Sequence, residues 1–251
     1  MKIYLAGFKT IEKTYNKPTD DIYLLSSFWE HKNGKYGEYV TQEKHILDSG
    51  AFTAINDKTG KYKNFDWNEY CKKYIAFINH TKQKLFFELD IDCVVGLQKV
   101  EYLRKMIEDG TGIAPIPCWH SNRGSDYFIK CCEEYPYVAL GTTTANADGK
   151  KIRNNPKVLH WFIEQAHKKN AKIHGLGFTS TPWLKELKFD SVDSTTWNVG
   201  GKFGNVVLFD ANGFPIQKYK SDKNKKAKTI ELNNFNFEQW VKFQKYADKY
   251  L

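Results

Sequence analysis

The absences in this chain narrow its identity before anything present does. Its five cysteines, Cys71, Cys93, Cys118, Cys131 and Cys132, are odd in number, and no two fall in a C-x-x-C pair. There is no H-E-x-x-H segment either, so a zinc site of ordinary spacing has no support and none is expected. Adjacent Cys131 and Cys132 are poorly placed for a structural disulfide, so reduced thiols in a cytoplasm are the expectation. No apolar run approaches the roughly 18 residues that a membrane-spanning helix needs, so no membrane partner is expected. The opening Met1–Phe8 run is too short for a secretory signal and lacks a small-residue cleavage site, so it reads as a first strand. No G-x-G-x-x-G follows that strand, which removes the main signature of a dinucleotide-binding sheet.

What the chain does have is a basic balance and an alternating pattern. With 38 Lys and Arg against 29 Asp and Glu, the formal charge is +9. That favours a polyanionic partner without requiring one. Short apolar runs at Ile3–Phe8, Ile22–Phe28, His45–Asp48, Leu85–Asp92, Ile113–His120, Tyr137–Gly141, Lys172–Phe178 and Ser191–Trp197 read as eight strands. Segments of helical periodicity lie between many of them: Trp67 to about Asn79 behind an Asp66 cap, Gln98–Glu108, Asp126–Glu134, Pro156–Lys169 and a short Pro182–Leu187. Residues 53–66 are polar and read as a long loop, while Pro115 and Pro117 weaken the fifth strand. Strands alternating with helices over 251 residues predict one α/β domain, a (β/α)8 TIM-like barrel. After the eighth strand, Asn205–Phe209 and Phe214–Gln217 predict a β-hairpin, followed by a Lys-rich loop over Lys218–Lys228 and a closing helix from Phe237 to Tyr250.

Three of these strands end in carboxylates. Asp48 closes one, Asp90 and Asp92 another, and Asp190 and Asp193 flank the last. A barrel gathers the C-terminal ends of its strands around one pocket. Carboxylates brought together there repel one another, so one is pushed towards its protonated form while another stays ionised. Such a set suits displacement at a sugar carbon, with one group attacking and another moving protons.

At this point a resemblance becomes specific. Asp48-Ser49-Gly50-Ala51-Phe52 is similar to the D-[ST]-G-[GA]-F motif of the tRNA-guanine transglycosylase superfamily. Leu89-Asp90-Ile91 resembles that family's base-recognising strand end, and Tyr137–Gly141 its later base-pocket strand. His174-Gly175-Leu176-Gly177 followed by Asp190-Ser191-Val192-Asp193 resembles its nucleophile segment. The order holds from about residue 45 to 200. The transfer-RNA enzymes carry a cysteine-rich zinc subdomain after the nucleophile, whereas this chain has no cysteine beyond Cys132, so no zinc subdomain is expected. In that respect it looks more like the phage-type DNA-directed 7-deazaguanine transglycosylases, which exchange guanine in DNA for a 7-deazaguanine base.

The resemblance implies a role for each matching residue. Asp193 would be the nucleophile on C1′, and Asp48 the proton donor and acceptor. Asp90 would bind the guanine edge, with Ser49, Gly50, Phe52, Gly141, Gly177 and, more loosely, His120 around the base. Lys150, Lys151, Arg153, Lys157, Lys218 and Lys220 are candidates for phosphate contacts. Partners would be DNA, with tRNA as the alternative, and a free 7-deazaguanine base. No cofactor is implied, and the location would be a cytoplasm, that of a host if a phage encodes the chain. Hydrolysis of a deazaguanine nucleoside or nucleotide and a non-catalytic nucleic-acid-binding subunit are the rival readings. Residue by residue, plainer roles compete. Asp190 rivals Asp193 as the reactive group, Asp92 pairs with a nearby Lys, and Glu88 points outward or pairs structurally. His120 and His174 are satisfied structural histidines, and Trp119, Trp183 or Trp197 are left as candidates to stack on a base.

Overall fold

Residue parity along short apolar runs decides this architecture. Ile3, Leu24, Leu47, Phe86, Val138 and Val192 join one buried cluster with the helices, while Tyr4, Leu25, Ile46, Phe87 and Ala139 join a second, smaller one. Neighbours along a strand face opposite sides, so the strands bury both faces, as parallel strands must. The computed structural model describes residues 1–55, 65–142, 147–178, 181–198, 204–210, 216–220 and 229–251. Its strands are β1 (Lys2–Ala6), β2 (Leu24–Ser27), β3 (His45–Asp48), β4 (Cys118–Trp119), β5 (Tyr137–Gly141), β6 (Lys172–Leu176) and β7 (Ser191–Ser194). All seven are parallel in one α/β sheet ordered β3-β2-β1-β7-β6-β5-β4. Its two edges meet the same short segment, for Leu47 bridges to Phe86 and Phe87 bridges to Ile116. The sheet is therefore curled, with the smaller apolar cluster on its concave side.

The expected strands are present but shorter. The predicted run Leu85–Asp92 narrows to those two bridges, because Asp92 already starts a helical turn, Asp92–Val95. The predicted run Ile113–His120 narrows to Cys118–Trp119, just past the two prolines that remove donors. The stretch read as a loop from residue 53 begins inside a short helix, Ala51–Ile55, and residues 56–64 lie outside the described residues. The helix Trp67–Thr81 starts where expected: the Asp66 carboxylate accepts from the amides of Asn68 and Glu69 at 3.0 Å each.

Beyond the sheet, β8 (Asn205–Phe209) and β9 (Ile216–Lys220) pair antiparallel. Lys218 and Lys220 thus belong to a strand instead of the expected loop, and residues 221–228 lie outside the described residues. The closing helix is longer than expected, Thr229–Tyr250. Its amide side chains stitch it to the strands: Asn236 accepts from the Val207 amide at 2.8 Å and donates to the Asn205 carbonyl at 3.0 Å. Gln244 likewise accepts from the Tyr23 amide at 3.0 Å and donates to the Ile3 carbonyl at 2.6 Å. Among the described residues no helix is long and apolar enough to cross a membrane.

Candidate active site

Asp48 ends β3 and Asp193 lies one residue before the end of β7. Asp90 follows the Phe86–Phe87 bridges. All three therefore stand at the C-terminal end of the curled sheet. Asp48 shares parity with inward Ile46, which turns its carboxylate to the concave side.

The turn after β3 is built around Asp48. Gly50 takes φ 69°, a left-handed conformation that favours glycine, and its amide donates to Asp48 Oδ1 at 2.6 Å. A Cβ there would also lie 2.3 Å from Ser27 Oγ and 2.8 Å from the Trp29 amide nitrogen. The Tyr70 hydroxyl donates to the Ser49 carbonyl at 2.6 Å, fixing the same turn from the helix behind it. Burial pushes the Asp48 carboxyl up, and the negative charges of Asp90 and Asp193 add to that. The Gly50 amide opposes the rise, and the balance stands at about 7. Burial is the larger cause, and the converging carboxylates add to it.

Asp90 pairs with His120, whose Nε2 lies 3.2 Å from Asp90 Oδ2. Burial lowers the affinity of that imidazole for a proton, but the hydrogen bond and charge of Asp90 outweigh burial and raise it. Gly141 is what lets the ring sit there: a Cβ at that position would come within 2.4 Å of His120 Cε1 and 2.9 Å of the Trp119 carbonyl oxygen.

Asp193 is 8% exposed and its Oδ1 is doubly held. The Gly177 amide donates to it at 2.6 Å, and His174 Nε2 lies 3.2 Å away. Asp190, the rival, is at the other end of β7. Its carboxylate accepts from the Ile173 amide at 2.8 Å and lies 3.1 Å from His167 Nε2, so it is a structural residue.

Beside the site lies a cluster that the sequence reading underrated. Glu88 is fully buried and binds two arginines, Arg104 Nε at 2.5 Å and Arg123 at 2.7 Å, while it accepts from the Cys118 amide at 2.9 Å. Arg123 also reaches Asp92 at 2.6 Å. Of the two expectations for Glu88, structural pairing holds and pointing outward does not, and the partner of Asp92 is an arginine, not a lysine. Two cations and two carboxylates cancel in a volume that could not hold any one of them alone.

The other expected residues divide. The structure brings Asp48, Gly50, Asp90, His120, Gly141, Gly177 and Asp193 together. Phe52 is 48% exposed on the helix just after Asp48. Ser49 is buried, with its Oγ 3.4 Å from the Ala51 amide at the start of that helix, so its hydroxyl supports the turn. Lys150, Lys151 and Arg153 lie on the helix Ala147–Arg153, and Lys157 is exposed on the next helix, Pro156–Lys168. Arg153 bends to the site, donating to the Gly177 carbonyl at 2.6 Å, whereas Lys151 pairs with Asp148 at 3.3 Å. Trp119 and Trp197 are core residues: each is buried, and their indole N–H groups are spent on the Gly124 and Ala6 carbonyls. Neither can stack on a base. Trp183 remains half-buried.

Two cavities of about 360 and 330 Å³ lie elsewhere, one beside Tyr15 and Glu238 and one beneath the sheet around Leu85 and Pro115. Neither is lined by Asp48, Asp90 or Asp193, so the chemistry is assigned to the strand ends where those carboxylates gather. No family model matches the chain, and no curated protein does. Among solved structures it is similar to one titled "QR15, an Aldolase", at 11% identity over 78% of this chain and 89% of that one, with a TM-score of 0.48. A likeness that slight carries no argument about chemistry.

Proposed function

We propose that this chain is a DNA-directed guanine transglycosylase built on a (β/α)8 barrel, in which the Phe86–Phe87 segment supplies the strand between β3 and β4. One observation carries the reading. Three carboxylates rise from three strand ends, and burial, with the charges of Asp90 and Asp193 adding to it, holds Asp48 near 7. A group that titrates near neutrality beside a carboxylate held by an amide suits a double displacement.

In the first displacement an Asp193 oxygen forms a bond to C1′ of the target nucleotide. The C1′–N9 bond breaks, its electron pair stays with guanine, and protonated Asp48 supplies the proton that the departing base needs. In the second, Asp48 takes the N9 proton of the incoming 7-deazaguanine as that nitrogen attacks C1′, and the Asp193 carboxylate leaves. Asp90 accepts from the base's N–H groups, a charge-assisted contact. The target must leave the helical stack, which costs a few kcal/mol. Lys150 and Lys157, exposed on consecutive helices, and Lys218 and Lys220 on β9 are assigned to the phosphates that hold the strand while it opens.

The choice of DNA over transfer RNA rests on the motif resemblance and the missing cysteines. Mass spectrometry of nucleosides from DNA and from transfer RNA, each incubated with protein and a 7-deazaguanine base, tests both points. Exchange in DNA is expected, with a covalent protein–DNA adduct when the incoming base is withheld. Asp193→Ala should form none. Release of base without exchange would support a hydrolase, and exchange at the wild-type rate in Asp193→Ala would remove the proposed nucleophile.

A further inference from the structure

Beneath Asp193 runs a polar chain through the concave side of the sheet. His174 is fully buried, with Nε2 3.2 Å from Asp193 Oδ1 and Nδ1 2.5 Å from Ser191 Oγ. Ser191 Oγ lies in turn 2.5 Å from the Tyr137 hydroxyl. Strand register creates this line, since His174 of β6 is paired with Ser191 of β7, and Ser191 and Asp193 share parity. The groups packed around the imidazole are Tyr4 from β1, with ring centroids 6.1 Å apart, and Phe87, at 5.2 Å. Tyr137 of β5 and Ser191 and Asp193 of β7 complete the surround. Asp193 is thus the one carboxylate that these contacts place against the ring.

The hydrogen-bond roles follow from what each atom can do. An ionised Asp193 only accepts, so in the tautomer that fits it the ring carries its proton on Nε2. Nδ1 is then an acceptor, Ser191 donates to it, and Tyr137 donates to Ser191. Every donor in the line points towards Asp193, the arrangement in which each bond strengthens the next. With the Gly177 amide also on Oδ1, that oxygen has two donors and the carboxylate cannot rotate freely.

We infer that His174 is a positioning residue for the nucleophile: through the Tyr137–Ser191–His174 line it anchors Asp193 Oδ1 and leaves Oδ2 as the oxygen that attacks C1′. The inference rests on the transglycosylase reading and deepens it. The same donors stabilise the carboxylate when it leaves in the second displacement, so both halves of the reaction depend on them.

The test measures the rate of covalent adduct formation on DNA with no incoming base, together with the affinity for that DNA. His174→Leu should slow adduct formation about ten- to a hundredfold, the scale of a lost hydrogen bond to a charged group, with DNA affinity unchanged. His174→Gln restores a donor near the Nε2 position and should recover most of that loss. Ser191→Ala and Tyr137→Phe should each slow the step, with a smaller effect for the more distant Tyr137. A wild-type rate in His174→Leu, or no recovery in His174→Gln, overturns the inference. Should the Leu variant not fold, Ser191→Ala decides, and a wild-type rate there overturns it equally. If the wild-type protein forms no adduct, the transglycosylase reading fails first and takes this inference with it.

Discussion

Asp48 is the residue in which stability and activity pull apart. Its carboxyl is raised from an ordinary 3.8 to about 7, so the folded protein holds that proton more tightly than the unfolded chain does. The stability this contributes is complete below pH 3.8 and is lost as pH rises through 7. Asp48→Asn should therefore raise the melting temperature at pH 8, where the buried charge is fully formed, and change it little at pH 4. The same variant should lose exchange activity, together with the limb of the pH–rate profile near 7. Gly141 makes a second prediction. Gly141→Ala would press on the His120 ring and on the rigid Trp119 carbonyl, and should cost about 1–3 kcal/mol. It should also raise KM for the incoming base, as read from thermal melts and exchange kinetics. The three carboxylates were legible in the sequence because each follows an apolar run. His174 reads in the sequence as a structural histidine, and nothing there links it to Ser191 and Tyr137. Their importance lies in cross-strand register, which composition does not display. The signal available was parity: Ser191 and Asp193 stand two apart, so they face the same side.

Among the elements, the fourth sequence-read strand departs furthest from expectation. Leu85–Leu89 looks like a central strand, yet its polar interruption, Glu88, is recruited sideways by Arg104 and Arg123. The sequence could not pair Glu88 with arginines 16 and 35 residues away. That cluster ties the helix Leu97–Thr111 and the Ser121–Arg123 turn to the backbone leading into Asp90. Glu88→Gln would remove the carboxylate that both buried guanidinium groups share and leave Asp92 to Arg123 alone. A loss of about 3–5 kcal/mol is expected, measured as a lower midpoint in denaturant titration. Unchanged stability would mean that the arginines find water or other partners. Helices were more legible than strands, since the Asp66 cap and the helical spacing of Tyr70, Tyr74 and Phe77 are local features.

For the molecule as a whole, acid is the condition to watch. His31 and His45 are buried on either side of Ser26, at 2.9 and 2.8 Å from its hydroxyl. Burial pushes both imidazoles from 6.5 down to about 4, with the charge of Lys9 adding to the drop at His31 and the Gln83 hydrogen bond opposing it at His45. The unfolded chain therefore takes up protons first. Stability is complete above pH 6.5 and falls as pH drops towards 4, by about 3 kcal/mol for each histidine. Asp48 works in the opposite direction over part of this range, so the drop should be steeper in Asp48→Asn. Calorimetric melting between pH 7 and 4 tests this, and a flat profile in that variant would refute it.

The curled sheet also has a seam. Two backbone hydrogen bonds join the Leu85–Glu88 segment to Leu47 on one side, and two join it to Ile116 on the other. Asp48 belongs to one lip of that seam and Asp90 lies just beyond the bridging segment. Parting of the seam would separate Asp48 from Asp90 while the rest of the sheet stayed paired, and under the proposed function a base held by both carboxylates would act as a clasp across it. Slowed amide exchange at Phe87 and Ile116 on adding a 7-deazaguanine base would register that clasp directly.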